Sequence, residues 1–292
     1  MPSPSPVEIA VLAAELAPAA LFAFAAEHVA RRVAAWPLAI RVALPALCVL
    51  PYAVLAVWHS MFRWQWFALY AALPVAMAWL LARAAGADPE QRGNWRDALI
   101  LLTLGLAVDL RWFDSAWPAG LRGFGNLLLV DAGLYGFLAI RQLNGTGFDF
   151  RLHWSDWKSG LRELAFFAPA VLVLGLALGF IHPHANLPAA GKAALTWAGI
   201  FIFVAVPEEL FFRAWVQNLL ERRIGQRAAL LVASVLFGLS HFNKRSAHFN
   251  WRYVLLATIA GIFYGRAWRE RRRVPASTIT HTCVDWLWSL WF

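Results

Sequence analysis

The chain has 292 residues, 61% of them hydrophobic and 15% charged, with a mean hydropathy of +0.56 and a formal net charge of +9. A soluble domain is nearer half apolar and a quarter charged, so this composition excludes a soluble enzyme or binding module and predicts an all-α, polytopic membrane bundle. The positive charge is no nucleic-acid footprint either, because no basic patch with interleaved aromatics stands apart from helix ends. Apolar spans are predicted, in chain order, near 9–30, 38–58, 65–82, 97–110, 123–140, 163–181, 194–215, 228–242, 253–268 and 276–292. Some of them, 97–110 among them, fall short of the ~20 residues a perpendicular span needs, so the expected count is eight to ten. The stretch MPSPSPVEIA has no basic segment and no clear small-residue cleavage site, so no cleavable signal peptide is expected. Cys48 and Cys283 lie in separate apolar segments without metal-type spacing, which argues against a disulfide framework.

Charges in the connections set an orientation. With the N-terminus outside, the inner connections hold Arg31, Arg32, Arg41, Arg83, Arg92, Arg96, Arg141, Arg151, Lys158, Arg162, Arg222, Arg223, Arg227, Arg266, Arg269, Arg271, Arg272 and Arg273. The outer ones hold only Arg63, Arg111, Arg122, Lys192, Lys244, Arg245 and Arg252. This bias follows the positive-inside rule and explains the net charge as helix-end anchoring. The longest polar stretch, 142–162, divides the chain into an N-terminal helical bundle, 1–141, and a second bundle, 163–292. In the first bundle Glu15, Glu27, His28, Asp109 and Asp131 fall within or near spans but are scattered. They are expected to make interhelical hydrogen bonds, to snorkel or to mark span ends.

In the second bundle the ionisable residues come in helix-spaced sets. A single carboxylate at the centre of a membrane helix costs at least about 2.5–3.5 kcal/mol on insertion scales, yet Glu208 and Glu209 are adjacent in PEELFFRAW. Glu209 and Arg213 are four apart and share a helix face, so an ion pair is predicted between them. Glu208 is about 100° round the axis and must find its partner on another helix or in water. Phe237 lies one turn before His241, and His281 and Asp285 are again four apart on one face. Cys283 points nearly opposite to His281 and is expected to pack rather than react. Glu208 and His241 lie at similar distances from the turn ERRIGQR, so a helical hairpin brings them to similar depth, in an inward-facing cavity partly sunk in the membrane. A carboxylate stripped of water is a better base. Glu208, with His241 beside it, is therefore positioned to deprotonate a water aimed at a carbonyl carbon, and His281, oriented by Asp285, to donate to the oxyanion. A proton relay uses the same groups and stays open.

Glu-Glu-x-x-x-Arg at 208–213, Phe-x-x-x-His at 237–241 and His-x-x-x-Asp at 281–285, in this order on three spans, resemble the CPBP family of intramembrane proteases, which includes CAAX prenyl proteases of the Rce1 type. The resemblance covers roughly residues 194–292. It implies a glutamic-type endopeptidase in which Glu208 and His241 activate water, His281 and Asp285 form the oxyanion site, and Glu209 and Arg213 support the first glutamate. Many members carry Asn where this chain has Asp285. No His-Glu-x-x-His pair is present, so no cofactor is expected; were zinc used, Glu208, His241 and His281 would be its ligands.

The expected function is cleavage of a membrane-associated peptide or protein near the inner face of a bacterial inner (plasma) membrane, with the lipid bilayer as the other partner and no nucleic acid. Arg-over-Lys and Ala-rich usage points to a bacterial genome, which favours a secreted peptide, sorting signal or anchored precursor over a prenylated tripeptide. The alternatives are a non-catalytic immunity or scaffold protein and, behind it, a proton-coupled transporter. The transporter reading lacks the paired Gly/Pro-broken helices that such folds show.

Overall fold

Every regular element in the computed structural model, which describes residues 4–184, 187–244 and 248–292, is helical. Arg245 and the first three residues of MPSPSPVEIA therefore lie outside the described residues. Among those described, six helical stretches are long and apolar enough to cross a membrane. The shortfall from eight to ten has physical reasons. Trp95–Asp109 has only 15 residues, Trp251–Arg271 is heavily charged at its end, and Ala190–Leu239 counts once although Gly225 bends it. The protein is an all-α integral membrane protein, with large apolar side chains such as Val57 (66% exposed) and Val173 (69%) facing outward, where lipid covers them.

Residues 1–144 form one compact unit and 145–292 another. The stretch 142–162 does not stand apart as a connecting segment, because its second half is the start of a helix in the second unit.

The first unit contains α1 (Pro6–Ala34), α2 (Leu38–Ala43), α3 (Val49–Trp58), α4 (Trp64–Ala87), α5 (Trp95–Asp109) and α6 (Arg122–Leu134). A capping box opens α1. The Ser5 hydroxyl accepts from the Glu8 N–H at 3.2 Å, and the Glu8 carboxylate accepts from the Ser5 N–H at 2.6 Å. Asn94 and Asp97 open α5 in the same way. The Asp97 carboxylate also accepts from Arg141 Nε at 3.0 Å, and Asp88 Oδ2 accepts from Arg141 Nη2 at 2.6 Å. Arg141 is thus a buried clasp between the ends of α4, α5 and α6, its charge balanced by two acids. Among the scattered acids Glu15 departs from expectation: it is 2% exposed and neither carboxylate oxygen has a hydrogen-bond partner.

The second unit contains α7 (Trp154–Ala177), α8 (Ala190–Ile200), α9 (Val206–Glu209), α10 (Asn218–Leu239), α11 (Trp251–Arg271) and α12 (Val274–Trp291). From α8 to α10 the chain stays helical, but Phe201–Ala205 and Leu210–Gln217 are wound as wider π-helix. Pro207 accounts for the first of these, since it lacks an N–H and its ring crowds the carbonyl four residues back. At Gly225 φ is +76°, a backbone state that favours glycine, and α10 folds back there. Beyond this bend α10 runs only from 226 to 239, about 21 Å, so its end falls short of the ~30 Å hydrocarbon layer. Gly238 allows α10 to press on α11, because a Cβ there would collide with the Thr258 hydroxyl and the Val254 carbonyl. Phe167, Phe212, Phe237, Ala257, Ala260 and Tyr264 form the core beneath this contact. Truncating one such buried aromatic costs about 3–5 kcal/mol.

The arginines near 266–273 do more than anchor helix ends. Arg266 Nε pairs with buried Glu163 at 3.0 Å, Arg272 with Glu221 at 2.9 Å and Arg273 with Asp156 at 2.7 Å. The turn between α11 and α12 is therefore stitched to α7 and α10 by acids that point inward.

Candidate active site

Four elements bring the motif residues together. α9 carries Glu208 and Glu209, the π-helical segment after it carries Arg213, His241 follows the C-terminus of α10, and α12 carries His281 and Asp285. Phe237 sits at the centre, its ring 4.9 Å from that of His241 and 5.7 Å from that of His281, with the Arg213 guanidinium 5.2 Å above it.

Arg213 Nε donates to Glu209 Oε2 at 2.9 Å, with both side chains fully buried, as the spacing of four predicts. The other Glu209 oxygen lies 2.9 Å from His281 Nδ1. Glu209 therefore holds His281, a contact between residues 72 apart in sequence. Because a carboxylate only accepts, Nδ1 carries a proton, and the ring is fixed further by stacking on buried Tyr264 at 4.6 Å and 17°. His281 Nε2 then points to Asp285 Oδ2 at 3.5 Å and to Glu208 Oε2 at 3.9 Å.

Glu208 differs from its neighbour. Its side chain is 24% exposed, its Oε1 is 3.6 Å from Lys244 Nζ, and its Oε2 is buried without a hydrogen bond. Lys244 thus lies beside Glu208, a contact the sequence reading of it as an outer-loop cation did not anticipate. The lysine carried no periodicity by which the sequence could place it here.

His241 is 6% exposed and close enough to Glu208 to interact electrostatically. Its Nδ1 lies 2.9 Å from the Phe237 carbonyl, an acceptor, so in the neutral ring Nδ1 is the donor and Nε2 keeps its lone pair. Cys48 and Cys283 are both free and part-buried, and Cys283 is absent from the hydrogen-bonded set.

The zinc alternative fits poorly. Among the described residues no group of three His, Cys, Asp or Glu is placed to hold a metal, and the Lys244 ammonium occupies the side of Glu208 where a dication would be repelled. A carboxylate beside a lysine, a histidine with an open Nε2 and a second histidine braced by a buried acid can instead move a proton and donate to a developing anion.

Residues 190–287 match the model of a family described as Rce1-like, type II CAAX prenyl endopeptidase. No curated protein and no solved structure matches the chain.

Proposed function

We propose, from the premise that residues 190–287 belong to this Rce1-like branch of the CPBP family, that the protein is an intramembrane endopeptidase working through Glu208 and His241. The observation that carries the reading is the contrast within the glutamate doublet. Glu209 is locked between Arg213 and His281, whereas Glu208 reaches its neighbours only at 3.6 and 3.9 Å and is partly open. A gap of 3.9 Å between polar atoms suits a bridging water. In this reading Glu208 Oε2 takes a proton from that water while His241 Nε2 accepts from its other hydrogen. The hydroxide adds to the carbonyl carbon of the scissile bond. His281, holding one proton toward Glu209, presents a second N–H at Nε2 to the oxyanion, and Asp285 orients that nitrogen. When the carbon–nitrogen bond breaks, Glu208 returns its proton to the leaving amine, the second proton of the water passes from the new carboxyl group to His241 Nε2, and the products are a carboxylate and an amine, with that proton released from His241 to solvent.

The reading is metal-free, so chelators leave the activity intact. Its substrate is a membrane-associated peptide or protein in a bacterial inner membrane. Comparing membrane peptidomes of cells carrying the wild type and Glu208→Gln tests it, with Glu208→Gln, His241→Ala and His281→Ala all expected to lose the same product peptides while still inserting into membranes. Full processing by the Glu208→Gln protein would falsify the reading.

A further inference from the structure

The first unit, which the family match does not reach, holds a cavity of about 360 Å³ lined by Ala34, Arg41, Ala85, Gln91, Arg141 and Gln142. Ala34 ends α1 and Arg41 lies in α2, Ala85 and Gln91 lie at and just beyond the end of α4, and Arg141 and Gln142 follow the π-helical turn Tyr135–Ile140, so three chain stretches line an open cleft at one end of the unit. The two arginines in it are not equivalent. Arg141 is satisfied by Asp88 and Asp97, and it also donates to the Asp88 carbonyl at 3.1 Å. Burial alone would raise the Asp88 carboxyl, but the N–H groups of Arg92 and Gly93 and the Arg141 guanidinium outweigh burial and hold it below its ordinary range. Asp88 is therefore anionic and fully engaged.

Arg41 has no such partner. It is half-buried, its Nε is enclosed without a hydrogen bond, and its guanidinium makes no ion pair among the described residues. Only its main chain is held, by the Tyr135 hydroxyl donating to the Arg41 carbonyl at 2.7 Å. A half-buried guanidinium whose Nε is enclosed and unbonded invites an anion. Nearby charge is one-sided: Arg31, Arg32, Arg83 and Arg96 also have no acid partner among the described residues, while Glu90 is taken by Arg92 at 2.8 Å. Alanine walls and the exposed Trp36 and Leu38 beside the cavity put it at the boundary between apolar spans and water, on the side that the arginine bias assigns to the interior.

We infer that this cavity is a binding site for a phosphate-bearing anion held by Arg41, with an anionic lipid headgroup or free phosphate as the two sources of that chemistry. The planar guanidinium suits two phosphate oxygens at once. The amide side chains of Gln91 and Gln142 line the same space, and a lipid would leave its acyl chains along the outward apolar faces of the unit.

The test uses the purified full-length protein in a zwitterionic detergent and follows thermal unfolding during titration with phosphatidylglycerol, phosphatidylcholine or inorganic phosphate. A ligand that binds only the folded state raises the midpoint by mass action. Phosphatidylglycerol is expected to raise the wild-type midpoint and phosphatidylcholine to leave it unchanged. Arg41→Gln should need about tenfold more phosphatidylglycerol for half its effect, the loss of one charge-assisted contact, whereas Arg32→Gln should match the wild type. An Arg41-dependent rise with inorganic phosphate as large as that with lipid identifies the free anion as the source; a rise with lipid alone identifies the headgroup. If Arg41→Gln does not fold, Ala85→Leu narrows the cavity without changing charge and should weaken the response equally. The inference is overturned if neither anion shifts the wild type, if Arg41→Gln and Arg32→Gln respond alike, or if Ala85→Leu binds as the wild type does.

Discussion

Removing Arg213 while keeping Glu209 strands a carboxylate in a site closed to solvent. Both side chains are 0% exposed and their contact is 2.9 Å, so Arg213→Met leaves the Glu209 charge with His281 as its sole remaining donor. Breaking a buried pair from one side costs about 3–5 kcal/mol, and the upper half of that range applies where neither partner reaches solvent. Glu209→Gln is milder on stability, about 1–3 kcal/mol, because the amide oxygen still accepts from Arg213 Nε. The amide nitrogen then faces His281 Nδ1 and requires that atom to become the acceptor. The imidazole then keeps its proton on Nε2 but loses its positive charge, and cleavage should fall by about tenfold, the loss of charge assistance in one donor to the oxyanion. The double variant removes both buried charges and should lose about 2–3 kcal/mol less than the sum of the singles. Unfolding of the full-length protein in mixed micelles, followed by tryptophan fluorescence, measures all three. Additive losses, or an Arg213→Met loss below about 1 kcal/mol, would refute the reasoning by showing that water reaches the pair.

Two further outcomes concern the first unit. Glu15 is buried with both oxygens unpartnered, so Glu15→Met should raise stability by about 1–3 kcal/mol, and a fall in the unfolding midpoint would mean that the carboxyl serves a ligand or proton. Asp88 has a lowered folded-state pKa, so its stabilisation is complete above about pH 4, its unfolded value, and is lost as the pH falls through the lower folded value. The gap in unfolding midpoint between wild type and Asp88→Asn should accordingly be wide near about pH 7 and shrink near about pH 3; a constant gap would show that charge is not the cause.

What the sequence made legible follows one rule: features with a local period could be read, and those joined by tertiary contact could not. Glu209 with Arg213, Phe237 with His241, and His281 with Asp285 are one turn apart, so geometry exposes each pair. The bend at Gly225 shows in the glycine of ERRIGQR between apolar runs. The bond from His281 to Glu209 and the approach of Lys244 to Glu208 cross between helices, and nothing in the residue pattern encodes them. Helix α7 was hidden for a different reason. Its first turns carry Asp156, Ser159, Gly160 and Glu163 buried inside while Leu161 is 44% exposed, the reverse of a soluble amphipathic helix, so 154–162 read as a polar loop. Glu15 looked like an ordinary interhelical donor or acceptor, and only its packed surroundings reveal that no partner meets it.

Charge pairing in the second unit sets Glu208 and Asp285 apart from the other buried or part-buried acids, and Asp285 is the more exposed of the two, at 39% against 24%. Asp156 is held by Arg273 at 2.7 Å, Glu163 by Arg162 at 2.7 Å and Arg266 at 3.0 Å, Glu209 by Arg213 at 2.9 Å, and Glu221 by Arg272 at 2.9 Å. Each of these acids has a guanidinium, which cannot be deprotonated in a protein and fixes the carboxylate in its charged form. Glu208 alone among these buried or part-buried acids faces a lysine and a histidine, both able to give up or rearrange protons, and neither within 3.5 Å. A structural acid in a membrane is best served by the first arrangement, since tight pairing offsets desolvation. An acid that must take up and return a proton in each cycle is better served by the second. In the proposed mechanism the doublet at 208–209 contains one residue of each kind, and their separation by about 100° on the helix lets a single turn of chain supply both the carboxylate proposed to react and the brace for the histidine opposite it.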